Sequence, residues 1–451
     1  MKAVLLVLAL FGAGSAIRAQ PQSSIPIKNF IFIIQENHSF DSYFGTYPGA
    51  NGIPSGTALA FYPGGPKTVT PFLAANNPPN DLSHSWKAAQ VAYDKGAMDG
   101  FVWADYSAGD MYYGQGITAP TGDPNLVKFV KTRKTAAKTI VLDPGEPSPN
   151  GFVDDEDANV TVIRRTSPVP SASPIPPPYA VDTVGYVDGT VIPNYWKYAG
   201  AFTLCDAFFA SVGGDSWPNH LYQIAAQSGG FVNGHHIAVE NSGVIGIYSF
   251  DSIIELFGQA GISWKFYSAY TPTTEGLWNP LPGFTAYASN QGYNFTANLA
   301  TTADFFTDIT NGTLPEVCWI TPTHGNSEHP PYDIPTGMHY VTGLVNAVMQ
   351  SPYWNQCAII ITWDDYGGFY DHVPPRQVDA YGFGFRVPTI VISPYSQSGV
   401  VVHTVYDFTS LLKLVETAYG LGALTGRDAS ANTMLDCFNF TQSPLPPLIL
   451  Q

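Results

Sequence analysis

The first strong pattern in the sequence is a run of apolar residues near the start of the chain, within KNFIFIIQEN. Residues Phe30 to Ile34 are all apolar, which is typical of a strand buried on both faces of a parallel sheet. The run ends at Glu36 and Asn37, a carboxylate and an amide. Ligands of open α/β sheets bind beyond the carboxyl ends of the strands. We therefore predict that Glu36 and Asn37 face a ligand.

Patterns typical of strands and of helices alternate from Tyr195 almost to the end of the chain. The predicted strands are AFTLCDAFFA (201–210), ISWKFYS (262–268), VCWITP (317–322), CAIIITWDD (357–365) and VPTIVISPYS (387–396). The predicted helices are NHLYQIAAQSG (219–229), FDSIIELFGQAG (250–261), MHYVTGLVNAVMQSPYW (338–354) and TSLLKLVETAYGLG (409–422). This alternation predicts the α/β class, as a three-layer α/β/α sandwich around a mostly parallel sheet.

The region between the first strand and Tyr195 has weaker patterns. Residues 51–79 are rich in Gly, Pro, Ala and Asn, which indicates a long surface loop. The segment DLSHSWKAAQVAYDKGAMDGF (81–101) predicts a helix with His84 in its first turn. A proline tract, SPVPSASPIPPP, cannot pair within a central sheet, so residues 106–190 are predicted to be an insertion over the core. We expect residues 20–451 to form a single domain with that insertion.

The first nineteen residues have the pattern of a secretory signal peptide. MKAVLLVLALFGAGSAIRA has one lysine, an apolar stretch too short to span a membrane, and small residues at its end. A secreted protein is therefore predicted, with no transmembrane segment. Asn-x-Ser/Thr sequons fit the same route, and they lie at Asn37, Asn159, Asn294, Asn311 and Asn439. We expect no glycan at Asn37, because its predicted position at a strand end is buried.

The net charge argues against one class of function, and the cysteine count allows disulfides. The 451 residues carry a net charge of -16, which argues against nucleic-acid binding because no basic surface exists to neutralise phosphates. Four cysteines are compatible with two disulfides in an oxidising compartment. We favour Cys318 with Cys357 and Cys205 with Cys437, although the cysteines can equally be small buried residues. Their spacing does not indicate structural zinc.

A serine at a predicted helix start is the first candidate for chemistry. In VGGDSWPNHLY, Ser216 lies between a glycine pair and a proline suited to an early helix position. A hydroxyl there faces the free N–H groups at the positive end of the helix, a setting that favours phosphate. A serine at this place can also serve only as the helix cap.

Two further motifs follow predicted strands. In CAIIITWDDYGGFYDHVPP, Asp364 and Asp365 are adjacent and would repel each other unless a cation or a proton separates them, so we predict a metal there. In VCWITPTHGNSEHPPYDIPTG, a loop carries His324, Glu328 and His329. A histidine in such a loop can protonate a leaving oxygen, contact a phosphate or bind a metal. His329 is the stronger candidate because a carboxylate and two prolines flank it.

Four of these motifs occur in an order that resembles a known family. ENHSFDSYFG, SWPNHLY, SEHPP and ITWDDYGGFYDHVPP, from 28 to 422 with an export signal ahead of them, are similar to the phosphoesterase family of bacterial and fungal phospholipases C and related acid phosphatases. The resemblance implies a core like that of alkaline phosphatase. It further implies one divalent metal ion, held by these residues: Glu36, Asn37, Ser216, Asp364 and Asp365.

The resemblance also implies roles in hydrolysis. Ser216 would be the nucleophile, His84 and His329 would contact the phosphoryl oxygens or protonate the leaving alkoxide, and Glu328 would orient one of these histidines. Oxygen ligands favour Ca²⁺, Mg²⁺ or Mn²⁺ over zinc. The expected substrate is a phosphate ester, either a phospholipase C-type phosphodiester with a phospholipid head group or a soluble phosphomonoester. Two alternatives are a phosphatase restricted to soluble monoesters and a catalytically silent secreted binding protein.

Overall fold

The computed structural model places the sheet, the surrounding helices and part of the insertion. The described residues are 24–62, 64–107, 126–128, 138–142, 160–165, 178–233, 248–268, 278–288 and 295–451. The predicted signal peptide and two of the sequons, Asn159 and Asn294, lie outside these ranges. Asn311 and Asn439 are exposed, whereas Asn37 is fully buried, so only the first two are accessible to a glycosylating enzyme in the folded chain.

A central sheet organises the fold. Within the described residues it has eight strands: β1 Asn29–Gln35, β2 Thr203–Cys205, β3 Trp264–Ser268, β4 Leu299–Thr301, β5 Val317–Ile320, β6 Cys357–Trp363, β7 Thr389–Ile392 and β8 Val400–Val402. Their order across the sheet is β4-β3-β5-β1-β6-β7-β2-β8. Strand β7 is antiparallel to both of its neighbours, and every other neighbouring pair is parallel. The prediction of a mostly parallel sheet is confirmed.

Strand β1 lies between β5 and β6 in the middle of the sheet. All seven of its residues are buried, because neighbouring strands flank it and helices cover both faces. Its side chains pack against aromatic residues of the core, as Phe32 does with Trp319 at a ring-centroid distance of 5.5 Å. The apolar run therefore folds as its pattern predicts, since a strand without a polar face must be covered on both sides.

Helices cover the sheet in two groups. The helices are α1 Phe40–Phe44, α2 Trp86–Tyr93, α3 Phe101–Ser107, α4 Pro193–Ala201, α5 Ser216–Ala225, α6 Ile253–Ala260, α7 Thr285–Ala288, α8 Phe295–Asn298, α9 Thr302–Asn311, α10 Ile334–Met349, α11 Phe408–Tyr419 and α12 Gly426–Ser430. Helix α10 contacts α4 and α9, whereas α5 contacts α6 and α11. With the sheet between them, the two groups form the predicted three layers.

Shorter elements lie outside the central sheet. Four pairs or sets of short strands are Leu59–Ala60 with Lys67–Val69, Phe72–Leu73 with Gly185–Tyr186, Phe208–Phe209 with Tyr406–Asp407, and Leu126–Lys128, Val160–Arg165 and Lys138–Leu142. The 3₁₀ helices are Asp94–Gly96, Pro178–Val184, Leu281–Gly283, His324–Asn326, Pro352–Gln356 and Leu435–Cys437. Within the predicted insertion, the strands between residues 126 and 165 pair with one another, whereas Gly185–Tyr186 pairs with Phe72–Leu73 outside it. The segment 201–210 forms two short strands, whereas the sequence predicts one.

The helix predicted for residues 81–101 is wrong in its extent. The Ser85 hydroxyl accepts a hydrogen bond from Ala88 N, so Ser85 is the N-cap and the helix begins at Trp86. It ends at Tyr93, because Asp94 has a left-handed backbone with φ of 35°. His84 therefore precedes the helix and does not lie in its first turn.

The predicted disulfide between Cys318 and Cys357 is also wrong. These cysteines lie on β5 and β6, and β1 runs between those strands. Cys318 pairs with Ile31 and Cys357 with Asn29, so each cysteine neighbours β1 and they cannot bond to each other. All four cysteines are reduced in this structure. Cys205 and Cys437 are adjacent, with their sulfurs 3.7 Å apart, and their pairing remains a prediction.

No helix within the described ranges is long and apolar enough to cross a membrane.

Candidate active site

The carboxyl ends of β1 and β6 bring two of the sequence motifs together. The strands are in parallel register with Gln35 opposite Trp363, so the residues that follow them emerge side by side. Asp364 N donates a hydrogen bond to Gln35 O at 3.0 Å, which extends the pairing by one residue. Asn37 N donates to Asp364 Oδ1 at 2.9 Å. Glu36, Asn37, Asp364 and Asp365 are all fully buried at this edge.

A tight approach between two loops fixes Asn37. Its backbone is left-handed, with φ of 60°, which turns the chain sharply after the strand. Gly367 packs against it so closely that a Cβ at this glycine would lie 2.2 Å from Asn37 O. Gly367 itself has φ of 58° and donates its N–H to Asp365 Oδ1 at 2.6 Å. Gly367 thus allows the loop that follows β6 to pack directly against the loop that follows β1.

Ser216 reaches this edge from the start of α5. Asp215 occupies the N-cap position, so Ser216 is the first helical residue and is not the cap. Its Oγ lies 3.3 Å from Asn37 Oδ1 and 3.4 Å from Asp365 Oδ2, and the hydroxyl can donate to either oxygen. The helix therefore presents a hydroxyl to the carboxylates, with its positive end directed at the same place.

The three carboxylates of Glu36, Asp364 and Asp365, here called the acidic cluster, have no lysine or arginine counter-charge among the described residues. Burial, followed by the charge of Asp364, raises the pKa of Glu36 well above its usual value, and the same two causes raise the pKa of Asp365. Three buried acids in contact are costly to ionise together unless a cation neutralises them.

The donor atoms of the acidic cluster fit a divalent cation. Glu36 Oε2 and Asp364 Oδ2 are buried and make no hydrogen bond within the described residues. Around them lie the Asn37 amide oxygen, the Ser216 hydroxyl and the Asp365 carboxylate. All are oxygen donors, which are the ligands that Ca²⁺, Mg²⁺ and Mn²⁺ take in proteins. The residues predicted from the sequence to bind a metal are therefore brought together.

His220 also belongs to this site, and the sequence analysis missed it. Its Nε2 lies 3.0 Å from Glu36 Oε1 and 3.7 Å from Asp364 Oδ2. The position is four residues after Ser216 on α5, so both side chains project from the same face of the helix. That spacing is the signal in the sequence from which His220 could have been identified.

The two predicted histidines lie near each other at the rim. The ring centroids of His84 and His329 are 6.2 Å apart, and each ring lies about 4 Å from a carboxylate oxygen of Asp81. His84 Nδ1 donates to Leu82 O at 2.6 Å, which leaves His84 Nε2 to accept from Asn37 Nδ2 at 3.2 Å. The amide of Asn37 is thereby turned so that its oxygen faces Ser216.

His329 is held by contacts on two sides. Its Nδ1 lies 2.6 Å from Pro330 O, and its ring stacks on Trp278 at a centroid distance of 6.4 Å. Burial lowers the pKa of His329 below its usual value. His324 also packs against Trp278, with the two ring centroids 5.2 Å apart.

The side chain of Glu328 does not contact either histidine, contrary to the predicted orienting role. Its carboxylate accepts hydrogen bonds from four neutral donors: Tyr43 Oη at 2.7 Å, Tyr195 Oη at 2.5 Å, Gln35 Nε2 at 3.1 Å and Trp363 Nε1 at 3.2 Å. The reason is its left-handed backbone, with φ of 68°, which turns the side chain inward while His329 points to the rim. Burial raises the pKa of Glu328 to about 7.

A second group of buried acids lies outside this site. Asp41, Asp371 and Arg386 form what we call the arginine cluster. Arg386 Nε donates to both carboxylate oxygens of Asp371, at 2.9 and 3.2 Å, and Nη2 donates to Asp41 Oδ1 at 3.0 Å. His372 Nδ1 lies 2.7 Å from the other oxygen of Asp41. The buried guanidinium supplies the positive charge here, so these acids do not form a metal site.

Comparison with known proteins identifies the family. The sequence matches the Phosphoesterase family over residues 27–126 and 145–422, well over half of the chain. This chain belongs to the phosphoesterase family. The match covers all of the residues brought together above, from Glu36 to Asp365. The family predicted from the four sequence motifs is therefore confirmed.

Relatives of this phosphoesterase include bacterial and plant proteins. Phospholipase C B of Mycobacterium tuberculosis is 27% identical over 97% of this chain and 81% of its own length. Non-specific phospholipase C4 of Arabidopsis thaliana is 26% identical over 91% of this chain and 71% of its own length. Among solved structures, an alkaline phosphatase superfamily protein from Vibrio parahaemolyticus matches at 13% identity with a TM-score of 0.37, over 70% of this chain and 75% of that one.

Proposed function

We propose that this chain is a secreted, metal-dependent phosphoesterase that hydrolyses phosphate esters through Ser216. The observation that carries the proposal is the position of the Ser216 hydroxyl, 3.3 Å from Asn37 Oδ1 and 3.4 Å from Asp365 Oδ2. It lies against buried acids that no described lysine or arginine neutralises. Membership of the phosphoesterase family and the names of its relatives support the same reaction class.

The oxygens of Glu36, Asn37, Ser216, Asp364 and Asp365 would hold the cation. When bound, a divalent ion lowers the pKa of a hydroxyl ligand and neutralises charge on the phosphoryl oxygens. Asn37 presents its oxygen to this place because His84 accepts a hydrogen bond from the amide nitrogen. Asp365 is positioned by Gly367 N, which leaves its second oxygen facing Ser216.

Hydrolysis then proceeds in two displacements at phosphorus. Ser216 Oγ loses its proton to solvent and forms a bond to phosphorus as the ester oxygen leaves, and a histidine in its protonated form supplies the proton that this oxygen gains. We assign that proton transfer to His329, since the Nε2 of His84 is already occupied by Asn37. Water next attacks the phosphoseryl group, which restores the serine and releases phosphate from a monoester or a phosphomonoester from a diester.

The test of the nucleophile is the Ser216→Ala variant with two chromogenic substrates, p-nitrophenyl phosphate and p-nitrophenyl phosphorylcholine. We expect hydrolysis of the preferred substrate to fall by about 10⁴-fold or more, as it does when a nucleophile is removed. Ser430→Ala, an exposed serine on α12, is the control and should keep full activity. Hydrolysis by Ser216→Ala at the wild-type rate would contradict the assignment.

The same two substrates separate the alternatives. Phospholipase C acts on a phosphodiester, so the names of the relatives favour activity on p-nitrophenyl phosphorylcholine. Activity on the monoester alone would indicate a phosphatase of soluble substrates. Failure to hydrolyse either compound, with Ca²⁺, Mg²⁺ and Mn²⁺ each supplied, would favour a silent binding protein. Export is tested separately, by whether the mature protein from culture medium begins after residue 19.

A further inference from the structure

The acidic cluster contains a histidine that the proposed hydrolysis does not use. His220 is 1% exposed, and its nearest polar neighbour is Glu36, whose Oε1 lies 3.0 Å from His220 Nε2. The geometry is that of a hydrogen bond from a ring N–H to a carboxylate. Its other nitrogen, Nδ1, has no close hydrogen-bond partner within the described residues, and the neighbouring Gln223 amide can donate to it, which is compatible with the proton on Nε2.

The two oxygens of Glu36 are in different situations. Oε1 faces His220, whereas Oε2 is buried and makes no hydrogen bond in the described part of the chain. A carboxylate with two free oxygens can rotate and bind a cation through either of them. A hydrogen bond to one oxygen fixes the plane of the group and leaves the other as the donor atom.

We propose that His220 is a positioning residue that holds Glu36 so that Oε2 faces the cation, and that it does not bind the cation itself. The inference rests on the proposed metal-dependent function. Residues that orient a metal ligand typically change metal affinity by about 10–100-fold when removed. His220 shares α5 with Ser216, so the same helix sets the positions of the nucleophile and of a cation ligand.

The experiment measures binding of Mn²⁺ to metal-free protein, with free Mn²⁺ counted by its electron paramagnetic resonance signal. His220→Leu removes the hydrogen bond and keeps much of the volume, and we expect it to weaken Mn²⁺ binding by about 10–100-fold. His220→Gln retains an N–H donor on a side chain of similar reach, and it should restore most of the affinity. His339→Gln, an exposed histidine on α10, is the matched control and should bind as the wild type does.

A second variant shows whether a folding defect, and not the lost hydrogen bond, explains a loss of Mn²⁺ affinity. His220→Asn keeps a polar side chain but is too short to reach Glu36, so it should lose affinity as His220→Leu does. Near-ultraviolet circular dichroism of each variant establishes that it is folded. Nitrogen modulation of the spin echo from bound Mn²⁺ in the wild type would show a direct histidine ligand and would overturn the positioning role.

The remaining outcomes separate this inference from the proposed function. Equal affinities for the wild type and the folded His220→Leu or His220→Asn variant would contradict the role of His220 alone. A wild type that binds no Mn²⁺ and hydrolyses neither chromogenic substrate would contradict the metal-dependent function, and the inference with it. Loss of affinity in both Leu and Asn variants, with recovery in Gln, is the expected result.

Discussion

Two groups of buried acids in this protein are neutralised in different ways. In the arginine cluster, Arg386 lies between Asp41 and Asp371, and its guanidinium donates hydrogen bonds to both carboxylates and to the carbonyls of Asn51 and Asp206. In the acidic cluster, the carboxylates have no lysine or arginine partner in the part of the chain that the structure describes. Buried acids with an internal cation contribute to structure, whereas buried acids without one indicate a place for a ligand.

A third buried acid completes the comparison. Among the described residues, the Glu328 carboxylate pairs with no cation and no other acid, and it accepts hydrogen bonds from four neutral donors. Sequence motifs alone do not distinguish these three cases, because Asp364, Asp371 and Glu328 all follow strands or lie in polar loops. The partners that the fold brings to each acid decide the difference.

Among the four tests of this comparison, the largest effect is expected from Asp365→Asn in the acidic cluster. We expect hydrolysis of the preferred chromogenic substrate to fall by about 10³-fold, because a charged oxygen that supports both the cation and Ser216 is lost. In the presence of a chelator, the same variant should be at least as resistant to urea as the wild type, because one repelling charge is removed. A large decrease in the free energy of unfolding in chelator would indicate that Asp365 stabilises the fold, as the acids of the arginine cluster do.

The opposite pattern is expected from Arg386→Met in the arginine cluster. This change leaves Asp41 and Asp371 buried without their cation, and it should lower the free energy of unfolding by about 3–5 kcal/mol. Urea denaturation measures the loss, and the fraction that remains folded should keep its turnover number. A protein of unchanged stability would show that these acids are neutralised by protonation, and the contrast between the clusters would fail.

The Glu328 carboxyl should make the free energy of unfolding depend on pH. Its folded-state pKa of about 7 lies above the value of 4.5 for an unperturbed glutamate, so the folded state binds the proton more tightly. The contribution of Glu328 to the free energy of unfolding is therefore fully present below about pH 4.5. It falls by about 3 kcal/mol as the pH rises towards 7. Glu328→Gln should remove that part of the slope in urea denaturation with chelator present.

Removal of metal should have the smallest effect of the four. A ligand present at 100 times its dissociation constant stabilises the folded state by about 2.7 kcal/mol. The melting temperature of the wild type should therefore rise when Mn²⁺ is added to chelated protein, whereas Asp365→Asn should respond much less. Equal responses would indicate that the ion binds outside the acidic cluster.

The sequence predicts the centre of this fold better than its connections. The apolar run of β1 and the strand before Asp364 are identified by their composition, and polar residues after buried strands indicate the site. The disulfide between Cys318 and Cys357 was mispredicted because local pattern does not reveal that β1 lies between their strands. The start of the helix at Trp86 depends on a cap hydrogen bond that Ala88 N donates to the Ser85 hydroxyl, which a periodicity argument does not resolve.

Side-chain direction is the other part of the site that sequence could not supply. Glu328 and His329 are adjacent in sequence. The Glu328 side chain nevertheless points inward to its four neutral donors, whereas His329 points to the rim, because Glu328 has a left-handed backbone. His220 was overlooked because it lies inside a helix, where a buried histidine is usually a packing residue. Only its position one helical turn after Ser216 distinguishes it.

The central position of β1 also has a consequence for the synthesis of the chain. This strand is made early, but both of its neighbours in the sheet, β5 and β6, come from the last third of the sequence. Contacts between residues so far apart in sequence form slowly and leave apolar surface exposed in the meantime. The Phe30–Ile34 segment therefore has no sheet partner on the ribosome until Val317–Ile320 has emerged, and it lacks its second partner until Cys357–Trp363 follows, so a chaperone that covers apolar segments would protect it in the meantime.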